Sequence, residues 1–262
     1  MPIPILTSQS TYADFYVKFL LPNKFCLFAE DLTAGWPARK LWTRPDDTVN
    51  IDALLEGFKD DGSLCVADCR RLEFGAHPTV NLSPSEYLAY WKSREGHEGE
   101  QLLYLKDWHY FRGHEPSLFF TAPVHFSSDW LNEFFAFRTD VDDDFKFVYA
   151  GPKGTWTPLH SDVYRSYSWS VNVVGLKRWW MFPPDEEKKL LSVQGHLPAD
   201  IRDRQFASPD QDSDLPRCYI FEQLPGQAVF VPSGWYHEVL NLVGWPIPLA
   251  HRNAVLLHFY LE

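Results

Sequence analysis

Of the ten histidines in this chain, one opens a His-x-Asp triplet, His160-Ser161-Asp162 in the segment GPKGTWTPLHSD. Residues two apart on an extended chain project to the same side, so this imidazole and carboxylate can reach one ion together. Two imidazoles and one carboxylate on one face of a metal leave the opposite face for a bidentate co-substrate and dioxygen, as in non-haem iron(II) sites. The third ligand must come from another strand. His237, in FVPSGWYHEVLNL, is suited to supply it, because it follows a turn-forming Pro-Ser-Gly and opens a strand 75 residues beyond Asp162. That interval lets three or four strands carry the chain away from the metal and back.

A co-substrate that chelates a metal at one end and keeps a free carboxylate at the other needs a fixed cation to pair with. Lys177, fifteen residues after Asp162 in VGLKRWWMFPP, offers a point charge there. Arg178 beside it is the competing inward residue. Trp179 and Trp180 require that this strand bury one face.

The elements that must position these side chains are short and β-rich. From Gln101 onward the runs QLLYLKDW, FKFVYAG, YSWSVNVVG, KRWWMFPP, CYIFEQL, QAVFVPSG and HEVLNL are punctuated by Gly and Pro. They predict an α+β, mainly β fold with a double-stranded β-helix, the jelly-roll core of cupins, and helices outside to cover its remaining apolar face. Residues 1–100 read as a mixed, partly helical portion packed on that core, 101–242 as the catalytic core and 243–262 as a divergent tail. In the first portion TYADFYVKFLL and SPSEYLAYWKSRE have helical spacing, the second opened by Ser83 or Ser85, and Leu64 to Asp68 forms a short buried strand. The acidic group Asp140, Asp142, Asp143 and Asp144 reads as a solvated loop, and the polar stretch 198–217 as a long insertion between strands.

Composition narrows the partners. A chain of 262 residues with 45% hydrophobic and 16% aromatic content can bury one sizeable, sheet-rich core. Its net charge of −11, with no local basic patch, repels a phosphate backbone and argues against direct nucleic-acid binding. The start lacks the basic and apolar regions of a secretory leader, and no run of about 18 apolar residues exists to span a bilayer, so an intracellular protein is expected. The four cysteines are too scattered for a disulfide framework and read as reduced thiols.

In order and spacing, GPKGTWTPLHSD, YSWSVNVVGLKRWWMFPP and QAVFVPSGWYHEVLNL resemble the metal- and co-substrate-binding strands of JmjC-domain oxygenases. YLKDWHYF, FSSDWLNEFF and YRSYSWSVNV carry the likeness to the cytoplasmic lysyl-hydroxylase branch of that family, and it runs from about residue 10 to residue 242. The resemblance implies Fe(II) held by His160, Asp162 and His237, and 2-oxoglutarate paired through its distal carboxylate with Lys177. Thr157 and Tyr104 are implied as further donors to that carboxylate. Where many relatives have an asparagine this chain has Ser170 after Trp169, and Asn172 is a candidate substitute. The implied reaction uses O2 and 2-oxoglutarate to hydroxylate carbon 4 of a lysine in the translation termination release factor, its protein partner. Two alternatives remain: N-methyl-lysine demethylation on the same centre, and a catalytically impaired form acting only as a binding module.

The last alternative arises from the tail. After Leu242 the likeness gives way to VGWPIPLAHRNAVLLHFYLE, in which Pro246 and Pro248 cannot donate to a sheet ladder. The expectation is an alternative terminus that leaves out the strand closing the pocket, with no role for His251 or His258.

Overall fold

The computed structural model describes residues 2–56, 58, 63–93, 101–138, 140, 144–211, 213–242 and 253–261. Short apolar runs broken by Gly and Pro produce thirteen strands among these residues: β1 (Ile5–Leu6), β2 (Cys26–Phe28), β3 (Leu64–Asp68), β4 (Thr79–Leu82), β5 (Leu103–Trp108), β6 (Lys146–Pro152), β7 (Trp156–His160), β8 (Tyr167–Val174), β9 (Leu176–Phe182), β10 (Tyr219–Gln223), β11 (Ala228–Val231), β12 (Tyr236–Leu242) and β13 (Asn253–Leu261). They form a nine-stranded sheet in the order β1-β2-β11-β8-β13-β6-β5-β3-β4 and a four-stranded sheet in the order β10-β9-β12-β7. Two facing sheets of this kind are the double-stranded β-helix expected from the sequence.

Period-2 alternation assigns each strand two destinations. On β9, Trp179 and Met181 face the opposite sheet, where they pack with Leu27, Val229, Val231 and, from β12, Val239. Trp180 and Phe182 face outward and are covered by Leu190, Ile201 and Cys218 of the long segment between β9 and β10. The outer face of the large sheet, including Val66, Leu105, Val148, Trp169, Val171 and Phe230, is covered by the aromatic N-terminal portion, with Phe15, Trp36, Trp42, Tyr87 and Trp91 all buried. Tyr87 and Trp91 lie on the helix Pro84–Ser93, which begins with a capping box: Glu86 N donates to Ser83 Oγ and Ser83 N donates to a Glu86 carboxylate oxygen. Ser83, not Ser85, is therefore the cap.

The tail corrects the sequence-based expectation. β13 runs antiparallel between β6 and β8, with Leu257 opposite both Val148 and Val171, so residues 253–261 form a central strand of the large sheet. NAVLLHFYL contains no proline, and a proline ahead of a strand removes no donor from its ladder. Pro246, Pro248 and His251 lie outside the described residues. Leu257 and Phe259 are buried, with the Phe259 ring stacked 4.2 Å from that of Trp169, so the wall expected to be missing is filled. No helix among the described residues is long and apolar enough to cross a membrane.

Candidate functional site

The register of the small sheet brings two of the three candidate ligands together. β7 and β12 pair antiparallel with His160 opposite His237, and the ring centroids are 4.3 Å apart. Asp162 lies two residues past the end of β7. The turn before β12 is tied to the loop after Asp162: Ser233 Oγ donates to the Arg165 carbonyl, and Gly234 takes φ +72° against the Arg165 guanidinium. A Cβ at that glycine would lie 2.8 Å from the mobile end of the Arg165 side chain, so it is the left-handed backbone angle that favours glycine there.

The ligand-type atoms of His160, Asp162 and His237 all lie within 4.8 Å of one another. Nε2 of His160 is 4.0 Å from Asp162 Oδ1, and Nε2 of His237 is 3.8 Å from the same oxygen. Each histidine turns its Nδ1 to a backbone carbonyl, His160 to Pro158 at 2.8 Å and His237 to Trp235 at 3.3 Å. A carbonyl only accepts, so Nδ1 carries the proton and Nε2 presents its lone pair toward Asp162. Burial pushes both imidazoles down to about 4, with the neighbouring His237 ring adding to the effect on His160. Both are thus neutral at pH 7, the state that binds a metal.

Asp162 is the observation that tests the fit of a cation. Its Oδ2 accepts from Ser168 Oγ at 2.6 Å, but its Oδ1 is buried with no hydrogen-bond partner. A buried carboxylate oxygen with no hydrogen-bond partner is unfavourable unless a positive ion compensates it. The donor set of two nitrogens and one oxygen suits iron(II), and the residues present fit it. Asp162 and His237 keep only 2% of their side chains exposed against 39% for His160, so the centre opens toward solvent on the His160 side.

Alternation also decides the second half of the site. On β9 it turns Lys177 inward with Trp179, whereas Arg178 faces out and pairs with Glu222 at 2.7 Å. Lys177 is fully buried, its Nζ donates to Asn241 Oδ1, and burial pushes it down to about 7. Asn241, on the same face of β12 as His237, donates in turn to Thr155 Oγ1 at 2.7 Å. Tyr104 joins this group through a side-chain hydrogen bond with Asn241, and its ring lies 5.9 Å from Lys177 Nζ. Burial holds the Tyr104 hydroxyl well above its usual range, so it stays protonated and can donate. Gly151 makes room for this arrangement, since a Cβ there would stand 2.5 Å from both Thr155 Oγ1 and Tyr104 Cδ2.

The other sequence candidates are placed differently. Thr157 Oγ1 makes a 3.5 Å contact with the Val239 carbonyl, while the threonine in the Asn241 network is Thr155. Ser170 is fully buried with its hydroxyl unpartnered, and Asn172 spends its amide on the carbonyls of Gly175 and Gln223. Sequence reasoning passed over Ser168, although alternation in YSWSVNVV puts residues 168, 170 and 172 on one face. Asn241 was legible by the same rule, two strand pleats from His237. His258, to which the sequence assigned no role, is placed by β13 opposite Ser170, and its Nε2 lies 3.8 Å from Asp162 Oδ1. No spacing argument could find it without the strand that carries it.

Comparison with known proteins agrees with this geometry. Residues 147–245 match the JmjC domain, hydroxylase, family. Over 239 residues the chain is 43% identical to the human 2-oxoglutarate and iron-dependent oxygenase JMJD4, covering 88% of this chain and 56% of that protein. The chicken protein of the same name is 41% identical over 240 residues, covering 88% and 55%. Arginine-specific demethylase JMJ20 of Arabidopsis thaliana is 34% identical over 252 residues, covering 89% and 53%. The chain thus spans a little over half the length of these relatives. With a JmjC domain, a two-histidine, one-carboxylate cluster and a buried lysine on the neighbouring strand, it is a JmjC-domain chain similar over most of its length to 2-oxoglutarate- and iron-dependent oxygenases.

Proposed function

We propose that this chain is a protein lysyl hydroxylase that oxidises carbon 4 of a lysine in the translation termination release factor, in the cytoplasm. Iron(II) would be held by His160, Asp162 and His237, and would supply the activation of dioxygen that couples oxidation of 2-oxoglutarate to succinate and CO2 with insertion of oxygen into a C–H bond. The protein's own residues do the rest. His160 and His237 present Nε2 because their Nδ1 protons are spent on backbone carbonyls, and Ser168 fixes the rotamer of Asp162. Lys177 would take the distal carboxylate of 2-oxoglutarate in exchange for Asn241, with Tyr104 as a second donor. Thr157 and Ser170 are the further candidates for that carboxylate.

The observation that carries this reading is the buried, unpartnered Oδ1 of Asp162 facing two neutral imidazoles. The lysine and the release factor rest on the likeness to the lysyl-hydroxylase branch. Incubating the chain with iron(II), 2-oxoglutarate and release-factor peptide should add the mass of one oxygen to the peptide, and the His160→Ala variant should add none. Unmodified peptide from the native chain would defeat the proposal.

A second reading is favoured by the name of the plant relative, an arginine-specific demethylase. Oxidation of an N-methyl carbon on arginine or lysine would release formaldehyde. Formaldehyde from methylated peptides, with no oxygen retained on unmethylated lysine, would select it.

A further inference from the structure

The Asp-Trp pair in YLKDW is not used by the metal or by the Lys177 network, yet Asp107 is held in an unusual way. β5 and β6 pair Leu105 with Ala150 and Trp108 with Val148, so β5 carries one extra residue across this interval. Asp107 lies in that bulge at φ +53°. Bulges re-aim side chains, and a left-handed angle on a non-glycine residue costs free energy that the surroundings must offset.

The re-aimed carboxylate accepts a 2.5 Å hydrogen bond from Tyr149 Oη. The Tyr149 ring is 6.0 Å from Tyr104 and 5.8 Å from His258, whose Nε2 is 3.8 Å from Asp162 Oδ1. A continuous row of side chains therefore links Asp107 to the metal ligands. The Asp107 side chain is 53% exposed, so it forms the solvent end of the row, whereas Asp162 forms the buried end.

We propose that Asp107, oriented by Tyr149, receives the positive charge of the basic side chain to be oxidised and so sets a preference for lysine- or arginine-type substrates. The inference deepens the proposed function and rests on it for the reaction. Tyr149 occupies Oδ1, while Oδ2 lies 3.5 Å from Lys106 Nζ, so that oxygen already accommodates an ammonium. The Lys106 pair is half-exposed and weak, and an incoming cation can replace it. In carbon-4 hydroxylation the reacting carbon stands three bonds from the ammonium nitrogen. The charge must then be anchored away from the metal, and Asp107 lies beyond Tyr149 instead of among the ligands.

The test measures binding of degenerate nonapeptide pools with central lysine, arginine or norleucine to the chain loaded anaerobically with iron(II) and 2-oxoglutarate. Asp107→Asn keeps the size of the side chain, tolerates the left-handed angle and can still accept from Tyr149, so it removes only the charge. The native chain should prefer the lysine and arginine pools over norleucine by about tenfold. Asp107→Asn should lose that preference with 2-oxoglutarate binding unchanged, and Asp107→Glu should recover part of it. A native chain with no charge preference, or an Asp107→Asn variant that keeps it, overturns the inference. An Asp107-dependent preference without oxygen transfer to release-factor peptide would instead defeat the proposed function and leave the cation site standing.

Discussion

The two ends of the buried polar stripe between the sheets are built on opposite principles. At the Lys177 end the charge lies in a chain of paired groups: Lys177 donates to Asn241, Asn241 donates to Thr155, and Thr155 donates to the Pro152 carbonyl at 2.7 Å. At the Asp162 end a buried carboxylate oxygen has no hydrogen-bond partner, with His160 and His237 Nε2 4.0 and 3.8 Å away. A satisfied network holds its shape without ligand and exchanges one partner when an anion arrives. An unsatisfied carboxylate is stable only with a cation, so metal binding there also contributes to folding.

The contrast is broken most severely by removing its unsatisfied member. Asp162→Ala should abolish oxygen transfer and also the rise in melting temperature that iron(II) or a substitute divalent ion gives the native chain. Calorimetry with and without the ion reads both, and a retained metal-dependent shift would mean that the ion sits elsewhere. Lys177→Met should weaken 2-oxoglutarate binding by about 100-fold, since a bound carboxylate is left buried without its cation, while the metal-induced stabilisation persists. Titration calorimetry separates the two effects, and loss of both would show that the ends are not independent.

A pH dependence sharpens the same comparison. Lys177 is held at about 7 by burial against an ordinary value of 10.5. Between those values the unfolded chain binds more protons than the folded one, so the ligand-free protein should gain stability as pH rises from about 7 toward 10.5. The penalty for the buried charge is fully present below 7. Binding of the 2-oxoglutarate carboxylate favours the charged lysine, so above 7 it must take up a proton, and affinity should fall by up to about tenfold per pH unit. Binding measured at pH 6.5, 7.5 and 8.5 in buffers of different ionisation enthalpy tests this, and an affinity independent of pH would remove Lys177 from the carboxylate. The smallest effect is expected for Ser168→Ala, which frees the rotamer of Asp162 without deleting a ligand. Metal affinity should drop by about tenfold, at the low end for partners that orient a ligand.

Several of these residues can be placed from the sequence by periodicity alone. His160 and Asp162 share a side because they are two apart, and Lys177 and Trp179 share a face of β9, as do His237 and Asn241 on β12. The helical spacing of SPSEYLAYWKSRE allowed a start at Ser83 or Ser85, and only the reciprocal hydrogen bonds with Glu86 select Ser83. That Thr155, not Thr157, meets Asn241 was not open to reasoning from periodicity. Both lie on one face of TWT, and only the approach of Asn241 across β12 and β7 selects Thr155 for the network. The tail shows the same limit in another form, because Pro246 and Pro248 dominate its appearance while the strand lies beyond them.

What the sequence by itself determined is therefore local: residue types, their two-residue periodicity, the turns, and a His-x-Asp pair that cannot avoid pointing one way. What only the tertiary structure decided is which distant strands become neighbours. Cross-strand register sets His160 against His237, and the insertion of β13 between β6 and β8 brings His258 to Asp162. Register depends on packing across many residues at once, whereas alternation is a property of the extended backbone, and that is why the ligands were legible and their surroundings were not.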